Sequence, residues 1–106
     1  MKPVLLHKGV PEDLRAILGY LDQHSSIAGD RFVNATFSTL DRISDMPGIG
    51  SPKRFRFRGE TVGHVPFAGF SRYLIFYAIE STHVQVLAVL HGSRRARSII
   101  SRRAKK

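Results

Sequence analysis

The chain has 106 residues, 42% of them hydrophobic, no cysteine and a formal net charge of +9, enough for one modest core and too little for two independent ones. The absence of cysteine excludes a disulfide framework and a thiolate metal site, so packing has to supply the stability. No apolar run approaches the roughly 20 residues that cross a bilayer, and MKPVLLHKG at the start lacks the long apolar region of a secretory signal; a single cytosolic domain with no membrane partner is expected.

Residues 2–6, KPVLL, read as a short strand, and Pro3, which has no backbone donor, favours a sheet edge. Pro11 suits a first helical turn, Glu12 and Asp13 set negative charge against the positive helix end, and Leu14, Ile17, Leu18 and Leu21 recur at helical spacing. These signals predict a helix over 11–24. Gly19 weakens it by about 1 kcal/mol relative to alanine and is expected to admit a neighbouring helix. Ser25 or Ser26 caps a second helix that stops before Pro47-Gly48, with Ile27, Val33, Phe37, Leu40 and Ile43 near one face. So short a link makes an antiparallel helical hairpin whose apolar stripes need a third surface.

The turn-rich MPGIGSP, residues 46–52, opens the β half. Strand candidates are residues 53–57 or 62–67, then 73–80, then 83–91, with Ser81-Thr82 linking the last two. In the last, Val84, Val86, Ala88 and Leu90 alternate with Gln85, Leu87, Val89 and His91; both sets are rather apolar, which predicts a central strand covered on two sides. The fold class is α+β, in the order β-α-α-β-β-β: a small, mostly antiparallel sheet with the helical hairpin on one face. Leu14, Ile17, Phe37 and Leu40 are expected in the helix–sheet core. The second face of the sheet is expected to be short of cover, open to a docked helix or an added strand.

The charge is concentrated. Arg94, Arg95, Arg97, Arg102, Arg103, Lys105 and Lys106 carry seven positive charges with no acid among them, leaving +2 on everything before. A second basic segment, Lys53, Arg54, Arg56 and Arg58, alternates with Phe55 and Phe57. Such asymmetry points to an acidic or polyanionic partner, nucleic acid or protein. Alternation on a strand puts the two phenylalanines on one face and the arginines on the other; the phenylalanines are read as core in preference to base-stacking platforms, and the arginines as meeting acids of a partner or solvent. Tyr73 and Tyr77 share a strand face with Ile75 and Ile79 and are read as core with hydroxyls at the rim. His7, His24, His64, His83 and His91 lack the spacing of a zinc site, and Gly48-Ile49-Gly50 lacks the residues of a phosphate loop. No metal or cofactor is expected. The domain is taken as residues 1–100, and 101–106 as a basic tail, either a solvated arm or a docked segment.

The words PEDLRAILGYL, AGDRFVNATFSTLDRISDMPGIGSP, FSRYLIFYAIE and VQVLAVLHGSR, in that order, resemble the ParE branch of the RelE/ParE superfamily, the toxins of bacterial type II toxin-antitoxin modules. The similarity covers nearly all of residues 3–100, and RYLIFY combined with VLHGSR at this separation is specific. The resemblance implies a growth-inhibiting toxin of the kind tied to plasmid stabilisation. It would be neutralised by a cognate ParD-like antitoxin wrapped around helices and sheet. ParE-like members are described as inhibiting DNA gyrase, whereas RelE-like members cleave messenger RNA on the ribosome with lysines, arginines and a C-terminal tyrosine. Here Ile99 and Ile100 stand where the tyrosine would be, and Leu74 stands where a third-strand arginine would be. The resemblance therefore favours non-covalent gyrase binding over catalysis, with Arg94, Arg95 and Arg97 as target contacts and Lys53, Arg54, Arg56 and Arg58 as a patch for antitoxin or nucleic acid. The alternatives are a ribosome-dependent endonuclease using Arg94, Arg72 and His91, and an inactive toxin-derived binding module.

Overall fold

In the computed structural model, which describes residues 1–105, the chain runs β1 (Val4–Leu6), α1 (Val10–His24), α2 (Ser26–Asp45), a short 3-10 turn (Pro47–Ile49), β2 (Ser51–Phe57), β3 (Glu60–Phe67), β4 (Phe70–Ile79), β5 (Val84–His91) and α3 (Ala96–Ala104). The five strands form one sheet in the order β1-β5-β4-β3-β2, antiparallel except for the β1–β5 pair. The expected order is present, and the two segments offered as alternatives for the first strand of the β half are both strands. They make a hairpin through Arg58 (φ 50) and Gly59 (φ 85), two left-handed residues in the arrangement of a primed turn whose twist matches the strands. Arg58 is thus a turn residue and not the last member of an alternating strand.

Both helices of the hairpin start as their sequences dictate. Pro11 lies in the first turn of α1 with Glu12 and Asp13 behind it, and Ser25 caps α2, its Oγ accepting from the Ala28 N–H at 3.3 Å. The close approach of the two helices falls at Gly29 and not at Gly19: a Cβ on Gly29 would sit 1.9 Å from Asp22 Oδ1, whereas nothing lies within 4 Å of Gly19. The face of α2 also differs from the expectation. Phe32, Ala35, Thr36, Thr39 and Ile43 are buried, Leu40 is half-buried, and Phe37 is 65% exposed together with Ile27 and Val33. The threonine hydroxyls donate to the carbonyls one turn back, Thr36 to Phe32 at 2.8 Å and Thr39 to Ala35 at 2.6 Å, so they enter the core without an unpaired polar group. Leu14, Ile17 and Leu40 pack against this core as expected, and of the four residues named for it only Phe37 does not.

β5 is central to the packing, and its two apolar sets have a specific origin. Tyr77 pairs with Val86 and Phe76 with Ala88, so Leu87 is an extra residue, a β-bulge. Before it Val84 and Val86 face the helical hairpin; after it Val89 does, and Leu87 and Ala88 both point to the other side. The simple alternation of even and odd positions is broken in mid-strand.

The second face of the sheet is not bare. α3 lies on it, with Ala96 and Ile100 fully buried against Phe57, Val62, Phe76, Ala78, Leu87 and Ala88, and Ile99 and Ala104 at the margin. Residues 101–104 of the basic tail continue this helix, while Lys106 lies outside the described residues.

Candidate functional site

β5 ends in a corner. Gly92 adopts φ 78, its N–H donates to the Arg72 carbonyl at 2.8 Å, and the Ala96 N–H donates to the Ser93 carbonyl at 3.1 Å as α3 begins. Because Ala96 and Ile100 are drawn into the core, Arg94, Arg95 and Arg97 are left exposed at the start of the helix. No acid occupies the first turn of α3, so three guanidinium groups crowd the helix end whose backbone N–H groups already carry partial positive charge. Among the described residues the ion pairs are Arg15–Glu12 and Arg103–Asp13. Neither involves this row, and an anion brought to it would relieve its mutual repulsion.

The second basic segment lies alongside. β2 borders α3, and Arg97 is held with its guanidinium carbon 5.9 Å from the centre of the Phe55 ring, within the range of a cation–π contact. Arg58 lies 5.1 Å over Phe57 and donates through Nε to the Ala104 carbonyl at 3.1 Å, near the end of α3. Phe57 is buried and offers no face for stacked bases, whereas Phe55 is half-buried beside Arg97. Arg54 and Arg56 are exposed; Arg56 donates to the Gly59 carbonyl at 3.2 Å, within its own hairpin. Lys53 approaches His64, whose pKa is held below its ordinary value, first by burial and then by the Lys53 charge.

No hydrogen bond or ion pair joins the side chains of Arg72, His91 and Arg94 among the described residues. Phe70 and Tyr73 both pack on the core under the helical hairpin across a register shift in β4, which leaves Arg72 exposed between them, its carbonyl accepting from the Gly92 N–H at 2.8 Å. The His91 ring lies 5.0 Å from the Tyr73 ring, in a shallow cleft of about 400 Å³ with Ala16, Ile17 and Tyr20 on the hairpin side. Ile99 and Ile100, which stand at the tyrosine position, belong to the α3 core.

Two features escaped the sequence. Tyr77 is buried, and its hydroxyl donates to the Pro47 carbonyl at 2.6 Å while accepting from the Gly50 N–H at 2.9 Å. It fixes the turn leading into β2. Arg103 of the basic tail is turned inward onto Asp13 of α1. No sequence signal predicts that pair, which is separated by 90 residues.

A search of curated proteins finds no match. Residues 4–96, from the first residue of β1 to the first of α3, match the family described as ParE toxin of type II toxin-antitoxin system, parDE, and the chain belongs to that family of toxins, whose partners are antitoxins.

Proposed function

We propose that this chain is a cytoplasmic, plasmid-stabilising toxin of the ParE type that inhibits DNA gyrase by non-covalent binding through Arg94, Arg95 and Arg97, and that a ParD-like antitoxin holds it inactive. The observation that carries the reading is the exposed arginine row at the start of α3, fixed in direction by the Gly92 corner and by burial of Ala96 and without a carboxylate partner among the described residues. A cationic row of this kind suits an acidic surface and speeds its capture. Lys53, Arg54, Arg56 and Arg58 extend the same positive field along β2 and serve the antitoxin or nucleic acid. A binding function accords with the burial of Ile100, which stands where the RNA-cleaving relatives carry their tyrosine, since general acid–base catalysis needs a group able to reach the reacting atom.

The test is expression with and without a cognate antitoxin, scored for growth and for DNA supercoiling. Growth arrest with altered supercoiling, lost when Arg94, Arg95 and Arg97 are all changed to alanine, is expected. Cleavage of messenger RNA on ribosomes that disappears in Arg94→Ala would replace this reading with the endonuclease. Normal growth on expression alone would replace it with an inactive binding module.

A further inference from the structure

The outer edge of β5 changes partner halfway along. β1 covers Val84–Val86 and ends at Leu6, and the His7 N–H closes the pairing on the Val86 carbonyl at 2.8 Å. Past that point lies the bulge. There Asp13 and Arg103 take the place of a strand: the Val89 N–H donates to Asp13 Oδ2 at 3.1 Å, and Arg103 Nη1 donates to the Leu87 carbonyl at 2.8 Å. The two side chains also meet each other in a fork, Nη1 to Oδ2 at 2.7 Å and Nη2 to Oδ1 at 2.8 Å, the geometry that gives a guanidinium–carboxylate pair both strength and direction. Their side chains are only 18% and 13% exposed, in contrast to the solvent-screened Arg15–Glu12 pair. Gly9 completes the fit, because a Cβ there would fall 2.6 Å from the guanidinium carbon of Arg103.

The fork joins three elements at one point: α1 through Asp13, the bulge of β5, and α3 through Arg103. The other holds on α3 are modest. It is nine residues long, too short to persist alone; its fully buried side chains are Ala96 and Ile100, and at its far end the exposed Arg58 donates to the Ala104 carbonyl at 3.1 Å. Arg103 also lies beyond the span that matches the family, whereas Asp13 lies within it.

We infer that Asp13 is a positioning residue for the arginine row: through Arg103 it clamps the far end of α3 and so fixes the direction in which Arg94, Arg95 and Arg97 are presented. The inference rests on the reading of that row as the target contact. It assigns to a carboxylate on α1 an effect on binding that needs no contact between Asp13 and the target. It also separates the guanidinium groups into two kinds, Arg103 satisfied within the protein and the row at the other end of the helix left for a partner.

The experiment uses the full chain, Asp13→Asn, Arg103→Met and the double variant, with slow amide exchange of Ile75 and Phe76 as the check that the sheet is intact. In all three variants the Ile99 and Ile100 amides are expected to exchange about tenfold or more faster, the double variant behaving no worse than either single one. The side-chain signals of Arg97 lose the ring-current shift imposed by Phe55, and growth arrest weakens toward that of the triple alanine variant. Arg103→Lys, which keeps the charge and loses the fork, falls between parent and Arg103→Met and serves if the others fail to fold. Parent-like exchange of α3 in these variants would overturn the inference, as would a loosened α3 with full growth arrest. If the triple alanine variant itself arrests growth like the parent, the target-contact reading is what fails, and the exchange rates and the Arg97 shift still decide whether Asp13 aims the row.

Discussion

On one face of the sheet, two helices of 15 and 20 residues lay Val10, Phe32 and Ile43 over Phe67, Ile75 and Tyr77; on the other, nine residues of α3 lay Ala96 and Ile100 over Phe57, Phe76 and Leu87 and are held at the far end by a side-chain fork. The first face is expected to come apart only with global unfolding. The second is a short element expected to be released with the scaffold still standing, and the exposed arginines belong to it. A protein that must hold its shape while offering a cationic surface gains from this division, because the surface can be altered by sequence without risk to the main core.

Phe32→Ala should give the largest loss. Phe32 stacks on Phe67 at 4.7 Å between centroids and meets Phe70 and Tyr73 edge-on, so its removal is expected to lower global stability by about 3–5 kcal/mol in urea unfolding. Ile100→Ala, equally buried, is expected to cost about 2 kcal/mol, and to do so mainly by releasing α3, visible as fast exchange of its amides while β3, β4 and β5 stay protected. Equal global losses for the two variants would show that the faces form one cooperative unit and would break the contrast.

Tyr77→Phe ranks next. Tyr77 lies under the helical hairpin, yet its hydroxyl reaches the turn before β2 and satisfies both the Pro47 carbonyl and the Gly50 N–H. Stripping it leaves two backbone groups without their partner, for an expected loss of about 1–3 kcal/mol. The measurement is equilibrium unfolding, with amide exchange at Ile49 and Gly50 showing whether the damage starts in the turn.

The elements were legible because their signals are local: Pro11 with Glu12 and Asp13, the Ser25 cap, the apolar runs of β4 and β5, and the spacing of RYLIFY from VLHGSR that carried the family resemblance. What could not be read depends on neighbours far along the chain. The bulge at Leu87 shifts the phase of β5, and no residue there announces it. Asp13 read as a helix-start acid, and so it is, but its carboxylate is engaged by Val89 and Arg103. The arginine row itself was legible as charge. Only the burial of Ala96 and Ile100 distinguishes it from the inward-turned Arg103.

Acid separates the two faces more gently. His7 on the β1–α1 connection and His64 on β3 both have pKa values below the ordinary 6.5, chiefly through burial, with Arg103 and Lys8 adding for His7 and Lys53 for His64. The neutral rings are favoured in the folded chain. Their contribution is therefore fully present above pH 6.5 and is lost as the pH falls through the lowered folded values. The urea midpoint should drop between about pH 7.5 and about pH 5, and His64→Gln should flatten that dependence. His7 Nδ1 accepts from the Gly9 N–H at 3.0 Å, so its protonation removes an acceptor beside the Asp13–Arg103 fork. The exchange of α3 amides is accordingly expected to rise before that of β4.

The smallest effect is the sharpest check on α2. A hydropathy reading favours Phe37 as core, because large apolar residues at Val33, Phe37 and Leu40 follow helical spacing. The packed side of the helix instead uses Ala35, Thr36 and Thr39, small residues that let α2 settle close to its neighbours. Phe37 is left beside Leu40, Met1 and Pro3 at the rim of a shallow groove. Phe37→Ser is therefore expected to change stability by no more than about 0.5 kcal/mol, although Phe32→Ala, five positions earlier on the same helix, costs many times that. A loss of several kcal/mol at Phe37 would mean that α2 is rotated about its axis, and the assignment of Phe32 and Thr39 to the hairpin core would fall with it.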